Sequence, residues 1–362
     1  MAASHTDSHP ARTELASISL DDLIVAIRAG GVDAQLAEGA TAGGGNARLA
    51  ASGTAEQATV LGMTVDSREV QPGNLFVCKG AAFRPAFLAS AIELGACAYL
   101  CPNDAALLEQ LELVAPGAPH IIASDVRRAM ALVAPVVYQH PEQALDIVGI
   151  TGTKGKSTVA YMLRSILLAA GETPSVLGSI ETDDGIEHYE SHNTTPEAPE
   201  LWRHLWNSVK SGRRHMVMEV SSQGLKYDRV LGVPLSLGVF LNIGRDHISG
   251  VEHPTFEDYF ASKLRIFDQC ETAVVNIDAE HAPRVLSAAE KARRLVTTSA
   301  RGADDATFAA LNARSTGLEL TFEVVDRLDP AHPQTHAIAL GMAGLFNVDN
   351  ALAAIACARL LG

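Results

Sequence analysis

At residues 148–163 the chain reads "VGITGTKGKSTVAYML", and eight consecutive positions within it could do chemistry. Two glycines (Gly152, Gly155), two cations (Lys154, Lys156) and four hydroxyls (Thr151, Thr153, Ser157, Thr158) lie between an apolar run and a helix-like stretch. Such a set suits phosphate. Glycines let backbone N–H groups approach the anion, a lysine at the helix start neutralises outer phosphates, and the next hydroxyl can ligate a divalent cation. The spacing is a variant of G-x-x-x-x-G-K-[ST], since Ile150 stands where the first glycine belongs, between Gly149 and Gly152. Three more residues could serve phosphoryl transfer. Glu219 closes the apolar "HMVMEV", His247 follows an apolar run in "GRDH", and Lys263 lies in "YFASKLRIF". A carboxylate at a strand end is where open α/β sheets hold ligands. By residue type alone, a histidine after a strand is more often structural, and Lys263 reads as the surface lysine of an amphipathic helix.

The elements that would position these residues follow from periodicity. Apolar runs at 146–151, 175–179, 215–220, 236–242 and 272–277 predict strands, and the stretches near 157–170, 198–210, 256–268 and 279–291 predict helices. Strands separated by helices, without tight hairpins, imply a doubly wound and mostly parallel sheet. "GLELTFEV" and "THAIAL" suggest a later antiparallel pair. Upstream, "LGMTV", "NLFVCKG", "ACAYLC" and "HIIAS" alternate with helical stretches as a smaller α/β domain. The expected fold class is therefore α/β in two domains, 1–140 and 141–362, with residues 36–57 a flexible Gly/Ala-rich loop.

Composition bounds the partners. The chain has 362 residues, 47% of them hydrophobic, enough for a large core, and its net charge of -14 excludes a nucleic-acid-coating protein. Five cysteines without CxxC pairs or nearby histidines predict buried reduced thiols. "MAASHTDSHPARTELAS" has no apolar leader and no stretch reaches bilayer-spanning length, so a cytoplasmic chain without a membrane span is expected.

Taken together, the motifs resemble a known family. "TGTKGKST" is similar to the phosphate loop of the Mur ligases, the ATP-dependent amide-forming enzymes of peptidoglycan precursor synthesis. "NTTPE" (193–197), "MEVSSQGL" (218–225), "DRV" (228–230), "FLNIGRDHISGVEHPTFEDYFASKLRIF" (240–267) and "GLFNVDNALAA" (344–354) follow in the family's order. "TVDSREVQPGNLFVCKGAAF" resembles the uridine-nucleotide segment of the MurE type, and the combination is most similar to the lysine-adding ligases of Gram-positive bacteria.

The resemblance implies a reaction in which ATP and Mg2+ activate a carboxylate of UDP-N-acetylmuramoyl-L-alanyl-D-glutamate as an acyl phosphate, which an amino acid, L-lysine, then attacks. meso-Diaminopimelate or ornithine are the alternatives, and a folylpolyglutamate-synthetase-like ligase or a non-catalytic nucleotide-sugar-binding protein are the rival readings. It implies ATP contacts at Gly152, Thr153, Lys154, Gly155, Lys156, Ser157, Thr158, Asn347 and Asn350, with Asn347 also suited to cap the final helix. The implied metal ligands are Ser157, Glu219, His247 and a carbamylated Lys263, with Asp246 a weaker candidate, and the implied catalytic residues are Lys156, Lys263 and His247. Thr194, Thr195, Ser222 and Arg229 would hold the muramoyl-peptide, and Ser67 and Arg68 the uridine diphosphate. The family also carries a C-terminal Rossmann-like domain that closes the site. The chain stops at Gly362 before one, so a monomer that binds substrates and ligates poorly by itself is expected.

Overall fold

The computed structural model describes residues 15–37, 58–246, 248–249 and 252–362. They divide into two compact units, one within Met1–Pro141 joined by Ala198–Trp206, the other made of Glu142–Glu197 and Asn207–Gly362.

In the first unit, helix α1 (Leu20–Ala29) begins at a capping box between Ser19 and Asp22. Strands β1 (Ala34–Ala37), β2 (Gly62–Thr64) and β3 (Asn74–Val77), helix α2 (Pro85–Glu93), strand β4 (Ala98–Pro102), helix α3 (Ala105–Val114), strand β5 (His120–Ala123) and helix α4 (Val126–Val137) follow. The sheet order is β1-β5-β4-β3-β2, parallel except for β1. Leu36 and Ala37 thus pair in a strand, which corrects the start of the expected 36–57 loop; residues 38–57 lie outside the described residues. All five cysteines are free thiols, and burial pushes Cys97 and Cys270 up to about 11 and Cys101 and Cys357 up to about 12.

The second unit is built on one sheet of eleven strands. In chain order the elements are β6 (Asp146–Thr151), α5 (Lys156–Ala169), β7 (Ser175–Leu177), β8 (Glu181–Asp183), β9 (His188–Glu190), α6 (Ala198–Lys210, of which Ala198–Trp206 belongs to the first unit), β10 (His215–Glu219), α7 (Ser222–Lys226), β11 (Leu235–Phe240), α8 (Phe256–Leu264), β12 (Cys270–Asn276), α9 (Ala282–Ala289), β13 (Arg294–Ser299), β14 (Phe308–Thr316), β15 (Glu319–Asp326), β16 (Gln334–Leu340) and α10 (Asn347–Leu361). The strands lie in the order β9-β8-β7-β10-β6-β11-β12-β13-β14-β15-β16. From β7 to β14 every pairing is parallel, and antiparallel strands finish both edges. The predicted core strands are present, and the late strands pair antiparallel as expected. The absence of hairpins among the strands expected between 146 and 277 is corrected, because β8 and β9 form one.

Central strands buried on both faces read as continuous apolar runs, as in "DIVGIT". Val148, Ile150, Val217 and Val239 of the sheet pack with Val159 and Leu163 of α5 and Leu352 and Ala354 of α10 in a single core. This holds α5 and α10 in place, with their N-termini bearing the residues described next. Among the described residues no helix is long and apolar enough to cross a membrane.

Candidate active site

The carboxyl ends of β10, β6, β11, β12 and β13 carry nearly all the chemistry of the second unit. Parallel strands deliver every loop to that edge. After β6 the chain turns through 152–155 into α5, with Gly155 as N-cap at φ +91° and no side chain capping the helix. The first amides of α5 are left for an anion. The loop is stapled to the neighbouring strand end. Lys154 donates its amide to Asn242 Oδ1 (3.0 Å) and accepts from Asn242 Nδ2 (3.0 Å), while the Thr153 hydroxyl meets Tyr259 (3.1 Å) and accepts from the Gly244 amide (2.9 Å). Lys154 Nζ is exposed and pairs with Asp246 at 3.1 Å.

Two lysine amines converge on one backbone oxygen. Lys156 Nζ donates to Gly152 O at 3.0 Å, and Lys263 Nζ donates to the same oxygen at 2.9 Å. Lys263 is 2% exposed, with its amine 5.0 Å from the centre of the Tyr259 ring. This corrects the surface-lysine reading, because Tyr259, Phe260 and Lys263 share the buried face of α8. Burial, then the charge of Lys156, holds the Lys263 amine well below the usual lysine range; burial also lowers Lys156, with Glu219 opposing.

Glu219 ends β10 and is 1% exposed. Its Oε1 accepts from the Ser179 amide (2.9 Å) and its Oε2 from the Ser179 hydroxyl (3.1 Å), which in turn meets Thr194 Oγ1 at 2.9 Å. Thr195 donates its hydroxyl to Glu219 O (2.9 Å), and Arg229 donates to Thr195 O (2.9 Å) and pairs with Glu197 (3.0 Å). Glu219, Thr194, Thr195 and Arg229 are therefore one connected group. Ser222 is buried with its hydroxyl 2.9 Å from His253 Nε2, and His253 Nδ1 lies 2.6 Å from Asp258, which Lys226 also meets at 2.7 Å. His247 lies outside the described residues.

On the other side of the loop is a cleft of about 550 Å³, walled by Lys154, Gly155, Thr158, Asn350 and residues from the ends of β11, β12 and β13. Asn350 is in the wall; Asn347 is buried, its amide donating to Ala343 O (2.8 Å). Asn347 is the first residue of α10 rather than its cap, and its side chain caps nothing. A second space of about 670 Å³, mainly apolar, includes Ser157 and Thr158 in its wall. In the first unit a cleft of about 350 Å³ opens at the carboxyl ends of its strands, walled by Lys79, Gly80, Phe83, Ser124 and Arg127 among others. Ser67 and Arg68 are in this unit but not in that wall, and Arg68 is held by Asp66, bonding through Nε at 2.9 Å.

Asn242, Asn276, Asp278, Arg301, Phe346 and Asp349 of the 550 Å³ cleft escaped sequence reasoning. Their signal was position, because "NIGR", "NID" and "TSARG" each follow a parallel strand.

A strand–loop–helix turn with open amides, two converging lysines and a buried carboxylate at the end of the adjacent parallel strand make an arrangement suited to holding an anion such as phosphate. The Mur ligase middle domain matches residues 150–358, and the chain belongs to the Mur ligase family. A UDP-N-acetylmuramyl-tripeptide synthetase of Bifidobacterium longum (strain NCC 2705) is 36% identical over 312 residues, 83% of this chain and 57% of that protein. A UDP-N-acetylmuramoyl-L-alanyl-D-glutamate–L-lysine ligase of Streptococcus thermophilus (strain ATCC BAA-491 / LMD-9) is 40% identical over 220 residues, 60% of this chain and 44% of that protein. The chain thus spans about half the length of the curated relatives it matches. In fold it is similar to a solved UDP-N-acetylmuramoyl-L-alanyl-D-glutamate–2,6-diaminopimelate ligase, with a TM-score of 0.69 at 23% identity, covering 86% of this chain and 61% of that one. MurF from Acinetobacter baumannii gives a TM-score of 0.64 at 18% identity, covering 96% and 66%.

Proposed function

We propose that this chain serves an ATP-dependent ligation that adds an amino acid, L-lysine, to UDP-N-acetylmuramoyl-L-alanyl-D-glutamate. The observation that carries the reading is the meeting of Lys156 and Lys263 at Gly152 O, beside the open amides of α5 and the buried Glu219. The names of the relatives support the substrate and the choice of lysine.

Moving a phosphoryl group to a carboxylate crowds negative charge, so such a site needs cations rather than a strong acid or base. When bound, ATP supplies the phosphoryl group that activates the substrate carboxylate, and a divalent cation neutralises charge between them. The donor set fits a hard cation, with a buried carboxylate at Glu219 and a hydroxyl at Ser157, where α5 begins. The amides of 155–157 and the Lys156 amine would hold the outer phosphates, while Phe346, 69% exposed in the cleft wall, would cover the base. Thr194, Thr195 and Arg229 would orient the peptide carboxylates, Arg229 by a planar guanidinium suited to them. Lys79 and Arg127 of the first unit's cleft would take the uridine diphosphate, while Ser67 and Arg68, which the resemblance assigns to it, lie outside that wall.

Lys263 would act as a carbamate. An unprotonated amine can take up carbon dioxide, and burial favours that form, so the side chain would turn from a second cation on Gly152 O into an oxygen ligand for the metal. Intact mass in bicarbonate should show one added carbon dioxide that Lys263→Ala lacks; an unmodified mass together with full activity of Lys263→Ala would sink this role.

The function is tested by calorimetric titration of ATP–Mg2+ and of UDP-N-acetylmuramoyl-L-alanyl-D-glutamate, followed by incorporation of L-lysine, meso-diaminopimelate or L-ornithine. Both ligands should bind, L-lysine should be the amino acid incorporated, and Lys156→Ala should weaken the nucleotide-dependent step roughly 100-fold. Failure of both ligands to bind would overturn the reading.

A further inference from the structure

The polar side chains around the nucleotide cleft are mostly committed to one another. Asn350 donates its amide to Asn347 Oδ1 (3.0 Å), and Asn242 is clamped to Lys154. Asp278 accepts from the Ser299 hydroxyl (3.0 Å) and the Arg301 amide (2.9 Å). Asn276 accepts the Asp278 amide on its Oδ1 (3.0 Å), which turns its Nδ2 toward Asp349 Oδ1, also at 3.0 Å. This chain of bonds ends at Asp349. One of its oxygens is fixed, and the other accepts from no side chain among the described residues. Asp349 lies in the first turn of α10, three positions after the exposed ring of Phe346, and both line the cleft.

An ionised carboxylate accepts hydrogen bonds and donates none. Held rigidly, its free oxygen attracts an amino group and repels a carbonyl at the same place. We propose that Asp349 selects the nucleobase: its free oxygen accepts from the exocyclic 6-amino group of a purine stacked on Phe346, so that 6-aminopurines are bound in preference to 6-oxopurines. Asn276 is the positioning residue that aims it. Burial disfavours the ionised carboxylate of Asp349, and Arg301, in the same wall, opposes this by its charge and favours the ionised form. This inference rests on the nucleotide-binding reading above and assigns the specificity of that cleft.

The test titrates ATP, ITP and 2′-deoxy-ATP, each with Mg2+, into the wild-type chain and into Asp349→Asn. Wild type should bind ATP at least about tenfold tighter than ITP, the range of one hydrogen bond to a charged group. Asp349→Asn, whose amide can turn its donor toward a 6-oxo group, should bring the two within roughly twofold. The wild-type ratio stands as a measurement even where the variant folds poorly. Equal affinity of wild type for ATP and ITP would overturn the proposal and leave the nucleotide reading intact. So would an unchanged ratio in Asp349→Asn, or a penalty for 2′-deoxy-ATP in place of ITP. Binding of none of the three would overturn the nucleotide reading itself, and the proposal with it.

Discussion

Gly155→Ala puts the phosphate loop under a load that can be worked out in advance. At φ +91° an L side chain is strained by about 1–2 kcal/mol. The new Cβ would also collide with Asn350 Oδ1. Relieving that contact disturbs the Asn350–Asn347 hydrogen bond, worth about 1 kcal/mol. Alanine recovers roughly 0.5 kcal/mol by restricting the unfolded chain. The net is about 2 kcal/mol. In a unit of this size each kcal/mol moves the midpoint by about 2–4 °C, so thermal unfolding should fall by about 4–8 °C. Gly171→Ala separates the two terms. It has φ +89° but nothing within 4 Å of its Cβ, so it carries strain without collision and should lose about half as much. Circular dichroism melts and ATP titrations of both variants are the assay. Gly155→Ala should weaken ATP roughly tenfold or more, since the amides it displaces are the cradle, while Gly171→Ala should leave ATP binding unchanged. Equal melts for the two variants, or wild-type ATP affinity in Gly155→Ala, would refute the reasoning.

Asn242→Ala removes both bonds that staple Lys154 to the end of β11, and should weaken ATP about tenfold while costing about 1–2 kcal/mol in urea unfolding; unaltered ATP affinity would show that the staple does not shape the loop. His253→Phe leaves the Ser222 hydroxyl buried without its partner and should cost about 1–3 kcal/mol, less when combined with Ser222→Ala; strictly additive losses would refute the coupling. Lys226, as the largest influence, with His253 assisting, holds Asp258 below its ordinary 3.8 against the effect of burial. That contribution to stability is complete above 3.8 and is lost as pH falls through the lower folded value. Asp258→Asn should therefore flatten the acid limb of the stability curve, and an acid slope equal to wild type in denaturant titrations would contradict this.

The phosphate loop was legible because its residues are contiguous and lie between a continuous apolar strand and a helix. Glu219 was legible for a similar reason, as a strand-end carboxylate. Lys263 was misread from type, since lysine usually marks the solvent face. Its position was available in the pattern Tyr259, Phe260, Lys263, Phe267, which places it in the apolar stripe. The Asn276–Asp349 pair was out of reach because its partners are 73 residues apart and meet only once β12 and α10 pack together. The β8–β9 hairpin was hidden by short strands with polar residues on open faces, as in "HYE".

The shared oxygen of Gly152 makes the two lysines rivals. The carbonyl's two lone pairs can take both amines, but two positive charges gathered at one oxygen repel, so chemistry that removes the charge on one amine favours the charged form of the other. The loop thereby senses the chemical state of α8 without any rearrangement of the fold. A modification made deep in one helix is felt, one atom away, by the lysine that opens another.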